Sequence, residues 1–139
     1  MDQIMQLPEQ IWVSTDSSQF NFDFICSEIQ NSYWGLGRPR ETIIKSIENS
    51  LCFAIFKDRE QVGLARVITD YVTFAYLCDV LITESWRGRG LGKKLLHSVF
   101  TNPTLQSVKW FLRTRDAHGL YEKFGFSKTH RPHRYMEKL

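Results

Sequence analysis

The stretch Val80-Leu81-Ile82-Thr83-Glu84-Ser85-Trp86-Arg87-Gly88-Arg89-Gly90-Leu91-Gly92-Lys93-Lys94-Leu95-Leu96 decides how the chain is read. An apolar strand runs into three glycines at alternate positions, and an amphipathic helix follows at once. Leu91, Leu95, Leu96 and Val99 fall on one helical face, with Lys93, Lys94 and His97 towards the other. Gly88, Gly90 and Gly92 let the backbone turn sharply and approach a ligand closely. The first N–H groups of the helix lack internal partners, and the helix dipole makes that end partly positive. Arg87 and Arg89 add two full charges. The sum is a binding site for a phosphate or pyrophosphate. The plainer alternative is a glycine-rich strand-to-helix turn carrying two solvated arginines.

Two common phosphate motifs do not fit. The phosphate loop of nucleotide hydrolases needs Ser or Thr after Gly-Lys, and none follows Gly92-Lys93. The dinucleotide fingerprint Gly-x-Gly-x-x-Gly belongs to an early strand-to-helix turn, whereas Gly88-x-Gly90-x-Gly92 lies two-thirds of the way along a short chain. Arg/Gln-x-x-Gly-x-Gly/Ala does fit, as Arg87-Gly88-Arg89-Gly90-Leu91-Gly92. Here the sequence resembles the GCN5-related N-acetyltransferase (GNAT) family, whose signature loop holds the pyrophosphate of acetyl-coenzyme A.

Working outward from the loop, the strand before it is expected over Phe74 to Ile82 and the helix after it from about Gly90 to Asn102-Pro103, where proline stops it. Upstream, Leu51 to Lys57 and Gln61 to Thr69 read as strands flanking the short polar connection Asp58-Arg59-Glu60. Ile11 to Ser14 is a first strand. Phe22, Ile25, Cys26, Ile29 and Tyr33 mark a helix from about Asn21 to Ser32, and Ile43, Ile44 and Ile47 mark another, opened by Arg38-Pro39-Arg40-Glu41 and closed at Asn49-Ser50. Downstream come a strand over Val108 to Arg113 and a short helix over His118 to Phe124 capped by Gly125. Two short final strands are expected at about Phe126 to Thr129 and Arg134 to Lys138. The order β-α-α-β-β-β-α-β-α-β-β predicts an α/β (α+β) fold with a mixed, mostly antiparallel central sheet flanked by helices. It also resembles the GNAT order over nearly the whole chain.

A second motif strengthens the resemblance. The family commonly shows Ala-x-x-x-Tyr-Glu-Lys-x-Gly-Phe, and Ala117, Tyr121, Glu122, Lys123, Gly125 and Phe126 match it. One departure stands out: many members carry an asparagine seven residues before the tyrosine, and Thr114 stands there. Its hydroxyl replaces one hydrogen bond of an amide but not both.

Composition is ordinary for a soluble globular protein of modest size. The 139 residues suit one domain spanning 1–139 with a real core, 42% hydrophobic and 24% charged. No apolar run approaches the roughly 18 residues of a membrane span, and Met1-Asp2-Gln3-Ile4 lacks the basic start of an export signal. Cys26, Cys52 and Cys78 are scattered, without metal-ligand spacing, as expected of reduced thiols in a cytoplasmic protein. No metal is expected. The net charge of +3 suits one polyanionic small ligand better than a nucleic-acid backbone.

The resemblance implies attack of an amine on the thioester of the cosubstrate acetyl-coenzyme A, through a tetrahedral oxyanion. The acceptor is a small-molecule or peptide amine, and the protein a monomer or homodimer. The pyrophosphate falls to the backbone of Arg87, Gly88, Arg89, Gly90, Leu91, Gly92 and Lys93 with the two arginine side chains. The pantetheine and oxyanion fall to the main chain of Val80, Leu81 and Ile82, with Thr114 and Ala117 nearby. Tyr121 is the matching acid position. A phenol of pKa about 10 is a reasonable donor to a thiolate whose acid has a pKa of about 8.5 or somewhat more. Its alternative is a helix tyrosine that only packs.

The base is open among Asp79, Glu84, Tyr76 and His118, Asp79 being preferred. A carboxylate in an apolar strand needs a partner or a site role. Strict alternation places Asp79 on the face opposite Tyr76 and Cys78, so only one of those sets would face the acceptor. Related acetyltransferases carry an acid where Cys78 stands. Tyr33, Trp34, Arg38 and Arg40, on the glycine-containing loop between the first helices, suit a small ligand with an apolar part and a carboxylate. Equally, the two rings would simply cover the core edge. His130, His133 and Arg134 are candidates for another wall. Two other classes compete: a non-catalytic acyl-coenzyme A sensor, and a nucleic-acid-binding domain using Arg87, Arg89, Lys93 and Lys94, which leaves the tyrosine motif unexplained.

Overall fold

The computed structural model describes residues 10–139, so the leader reading made at Met1-Asp2-Gln3-Ile4 lies outside the described residues. Five strands form one sheet in the order β1 (Ile11–Ser14), β2 (Leu51–Lys57), β3 (Glu60–Thr69), β4 (Phe74–Ile82) and β5 (Lys109–Leu112). The first four are antiparallel neighbours, and β5 joins β4 in parallel. A parallel pair needs a crossover, and α3 (Leu91–Phe100) supplies it.

Both faces of the sheet are covered, as the apolar strands require. Cys52, Ala54 and Phe56 of β2 pack with Ile25, Cys26 and Ile29 of α1 (Phe22–Gln30) and with Ile43 and Ile47 of α2 (Arg40–Glu48). The alternate residues Phe53 and Ile55 pack on the other face with Leu91, Leu95, Leu96 and Val99 of α3 and Tyr121 of α4 (His118–Glu122). Period-two alternation on a strand buried on both sides makes two cores from one segment. The Asn21 side chain accepts from the Phe24 N–H and starts α1. Gly90, at φ 78°, starts α3, and Gly125, at φ 94°, follows α4 as a left-handed stop.

Two features differ from the sequence expectation. The strands expected at Phe126 to Thr129 and Arg134 to Lys138 do not form; after α4 the described residues hold only a single turn of 3-10 helix at Pro132–Arg134. Phe126 donates its N–H to the Tyr121 carbonyl, and its ring packs on Phe100 and Tyr121, so the chain is spent on the helix end rather than on a ladder. Beyond it the residues are all exposed and mostly polar, and Pro132 lacks a donor.

The second difference shapes the site. Leu64 faces Leu81 and Arg66 faces Cys78, so β4 carries one residue more than β3 across this interval. This is a β-bulge, with Asp79 at φ 49° in the left-handed region. The bulge breaks alternation. Ala75 and Leu77 belong to the α3 core before it, whereas Leu81 belongs to the α1–α2 core after it. Asp79 therefore joins Tyr76 and Cys78 beside the same cavity instead of standing opposite them. Pairing of β4 with β5 stops at Leu77 and Leu112, so the strand edge from Cys78 to Ile82 is left free of β5. At Gly63, which faces Ile82, an added Cβ would lie 2.6 Å from Ile82 Cδ1 and 2.7 Å from the Leu81 carbonyl oxygen. The close fit of β3 against the post-bulge segment thus requires glycine.

Candidate active site

Where β4 parts from β5 there is a cavity of about 580 Å³. Tyr33, Trp34 and Arg38 come to it from the α1–α2 loop, and Tyr76, Cys78, Asp79 and Val80 from β4. Thr114, Ala117 and Tyr121 come from the β5–α4 segment. The sequence singled out most of these residues separately, and the fold brings them together. Leu81 and Ile82 continue the same strand, Leu81 turned into the α1–α2 core and Ile82 packed against the α3 core. Glu84 and His118 are exposed and do not line this cavity. Arg40 pairs instead with Asp23 of α1 at 2.8 Å, in the open. His130 and Arg134 line a separate surface hollow with Arg131 and Tyr135.

Asp79 is the centre of the cavity floor. Its Oδ1 accepts from Trp34 Nε1 at 2.8 Å and Arg38 Nη1 at 3.1 Å. Its Oδ2 accepts from Arg38 Nη1 at 3.1 Å and Arg66 Nε at 2.7 Å. The carboxylate side chain is 1% exposed, that of Arg66 14% and that of Arg38 25%. Four hydrogen bonds match the roughly four acceptor sites of an ionised carboxylate. This network ties the α1–α2 loop to the bulge of β4 and to the middle of β3. Sequence reasoning passed over Arg66. The signal was present: an arginine inside Val62-Gly63-Leu64-Ala65-Arg66-Val67 demands an opposite charge, and Asp79 interrupts an apolar strand in the same way.

Tyr121 is buried, with its ring edge-on to Phe126 at 5.9 Å. Burial, with a smaller contribution from Tyr33, pushes its pKa up to about 12, so the phenol stays protonated at any ordinary pH. Among the described residues, every fully buried side-chain oxygen has a partner, and the Tyr121 hydroxyl has none; it therefore opens towards the cavity. Thr114 Oγ1 accepts from the Ala117 N–H at 2.9 Å, which fixes the start of α4 and leaves the hydroxyl proton available. Tyr33 lies edge-on to Trp34 at 5.2 Å and beneath the Arg115 guanidinium at 3.7 Å. Tyr33 and Trp34 are 56% and 40% exposed and both line the cavity. Burial raises the thiols of Cys52 to about 12 and Cys78 to about 11, so both are unreactive thiols near neutrality.

The glycine loop lies beyond the free edge of β4. Arg87 Nε donates to the Ile82 carbonyl at 2.9 Å, and the Arg89 guanidinium lies 4.5 Å from the Trp86 ring centre. These contacts hold both arginines beside the start of α3. No side chain caps that helix, so the N–H groups of Leu91, Gly92 and Lys93 remain free for an anion. Gly88 and Gly90, at φ 76° and 78°, supply left-handed turns that a side chain resists. Lys93 is exposed on α3. Among the described residues no group of three or more His, Cys, Asp or Glu is placed to hold a metal ion, and no helix is long and apolar enough to cross a membrane.

With this geometry in place, comparisons identify the fold. Residues 48–128 match a family model described as an acetyltransferase (GNAT) domain. A GNAT-family protein of Xanthomonas campestris pv. campestris is 40% identical, with 94% of this chain and 93% of that one covered at a TM-score of 0.91. The Gibberella zeae protein named Putative acetyltransferase FG08082 is 32% identical over 104 residues, covering 60% of this chain and 59% of its own length. The match thus spans about three-fifths of that relative. Glucosamine-6-phosphate N-acetyltransferase of Arabidopsis thaliana shares the fold, at 16% identity and a TM-score of 0.67 over 94% of this chain and 99% of that one.

Proposed function

The chain belongs to the GNAT acetyltransferase family, and on that premise we propose that it transfers an acetyl group from acetyl-coenzyme A to the primary amine of a small molecule or peptide. The observation that carries this reading is the single cavity in which the free edge of β4 meets the Tyr121 hydroxyl and the α1–α2 loop. The cosubstrate fits what is present: an uncapped helix start with Arg87 and Arg89 for its pyrophosphate, and a strand edge at Val80 to Ile82 for its pantetheine amides.

Each residue then has a distinct task. The N–H groups from Gly88 to Lys93 and the two arginine side chains bind the pyrophosphate and set the register of the thioester. A main-chain N–H of the bulged segment at Val80 stabilises the oxyanion, being held in place before reaction. Tyr121 donates a proton to the departing thiolate; at pKa about 12 it carries that proton throughout the working range, though burial makes it a weaker acid than a free phenol. Asp79 is assigned a positioning role rather than that of base, because its acceptor sites are filled by Trp34, Arg38 and Arg66. Deprotonation follows from the surroundings. Arg38, Arg66, Arg113 and Arg115 line the cavity against Asp79 and Asp116, and like charge disfavours an ammonium ion there. The acceptor nitrogen thus enters as free amine and gives its proton to water.

The test is thiol release from acetyl-coenzyme A with a panel of amines, amino acids and peptides. Turnover with one acceptor class supports the reading. Coenzyme A binding without turnover against any acceptor would leave a sensor in place of an enzyme, and no binding at all would remove the reading of the glycine loop.

A further inference from the structure

The cavity floor contains more positive charge than its own carboxylate neutralises. Arg38 and Arg66 both contact Asp79, and all three side chains are largely withdrawn from solvent. Two guanidiniums against one carboxylate leave one surplus positive charge. Asp79 has no acceptor site left for a further donor. Arg38 uses only Nη1 in this cluster, and Arg66 uses Nε to Asp79 and Nη1 to Ser50. Nε and Nη2 of Arg38 and Nη2 of Arg66 therefore have no acceptor among the described residues. No fully buried described side-chain nitrogen lacks a partner, so these free donors are accessible, and both residues line the cavity.

The rim has the same sign. Arg113 and Arg115 each meet one exposed carboxylate, Glu137 at 3.7 Å and Asp116 at 3.5 Å. Such loose, solvated pairs bind little and exchange readily for a better anion. The glycine loop already accounts for a pyrophosphate outside this lining, since no residue from Arg87 to Lys93 contributes to the cavity. A ligand that expels water here faces a partly desolvated surplus charge. A neutral or cationic ligand leaves it uncompensated, whereas an anion takes up the free guanidinium N–H groups.

We infer that the acceptor amine bears an anionic group, a carboxylate or a phosphate, and that the free donors of the Arg38–Asp79–Arg66 cluster receive it. This deepens the acetyl-transfer reading and rests on it. Asp79 holds the two guanidiniums as a preorganised pair, and Trp34, bonded to the same carboxylate, walls the site. The anion and the Tyr121 hydroxyl share one cavity, so the cluster fixes the acceptor while its nitrogen approaches the thioester.

The experiment compares matched acceptors: free amino acids against their carboxamides, and amino-sugar phosphates against the unphosphorylated sugars. The two arms separate a carboxylate from a phosphate. The anionic member of a pair is expected to exceed its neutral partner by at least about tenfold in kcat/KM, with the gap narrowing as salt rises. Arg38→Gln is expected to erase that preference with the KM for acetyl-coenzyme A unchanged, and Arg38→Lys to restore part of it. The exposed changes Arg113→Gln and Arg115→Gln, which leave the buried network intact, are expected to reduce the preference to a smaller degree. A preference for neutral acceptors, or one that survives Arg38→Gln in folded protein, overturns the inference. If no amine turns over, calorimetry on coenzyme A-loaded protein decides, with N-acetyl amino acids, N-acetylated amino-sugar phosphates and their neutral counterparts as probes. Selective binding of the anionic probes, lost in Arg38→Gln, upholds the anion site while rejecting acetyl transfer. Equal or absent binding rejects the anion site.

Discussion

Replacing Asp79 by Asn separates its two candidate roles. The substitution keeps the side-chain volume and a residue type that tolerates φ 49°, but removes the charge and turns one acceptor oxygen into an NH2 donor facing guanidinium or indole N–H groups. Removing one partner of a buried pair costs about 3–5 kcal/mol because a charge is left unpaired. Here two arginines share the loss and keep 14% and 25% of their exposure, which lowers the expected cost to roughly 2–3 kcal/mol. For a chain of this length that is a fall in Tm of about 6–15 °C, and a lower urea midpoint at unchanged slope. Kinetics supplies the second readout. A positioning role predicts that acceptor KM rises and the acetyl-coenzyme A KM stays put. A general-base role predicts instead that kcat collapses at unchanged stability. Asp79→Asn within about 0.5 kcal/mol of wild type would refute the network argument.

Three further outcomes follow from the geometry. Tyr121→Phe keeps the packing on Phe126 and removes the proton donor, so kcat is expected to fall by about 10²-fold with the fold intact; stopped-flow thiol release measures it, and an undiminished rate assigns the acid elsewhere. Because the folded pKa of Tyr121, about 12, lies above the ordinary value of 10, its protonated burial stabilises the protein fully below about pH 10; that contribution declines from there through pH 12. Urea titrations across that interval should show the loss. Gly63→Ala is expected to destabilise by about 1–3 kcal/mol, since the added methyl group meets a carbonyl oxygen that cannot rotate away; a neutral effect in denaturant titration would show that β3 and β4 can separate there. Cys52, buried and held at about 12, should react with thiol reagents at pH 8 at a rate set by unfolding, whereas Cys78, held at about 11 but on the cavity wall, should react slowly in the folded protein.

Much of the protein was legible in one dimension. The glycine loop, the helix after it and the apolar strand before it follow from local rules: backbone freedom at Gly88 and Gly90, an apolar stripe at Leu91, Leu95, Leu96 and Val99 on a helix that Pro103 stops, and a strand length bounded by the turns. Two separated motifs carried the family resemblance, the arginine-glycine run from Arg87 to Gly92 and the stretch from Ala117 to Phe126, because each imposes residue types at set spacings. The cavity floor was not legible. Strand period reads sides correctly only while the ladder is regular, and the extra residue at Asp79 reverses the phase for everything after it. The last two expected strands failed for a related reason. Strand propensity becomes a strand only where a neighbour offers a ladder, and Phe126 is drawn to the Tyr121 carbonyl and the Phe100 ring instead. So the sequence by itself determined where the chain turns, which faces are apolar and where a helix starts without a side-chain cap behind two arginines, since each depends on residues a few positions apart. The tertiary structure alone decided that Arg38, Arg66 and Asp79, separated by up to 41 residues, form one buried cluster, because only packing can bring opposite charges together out of water.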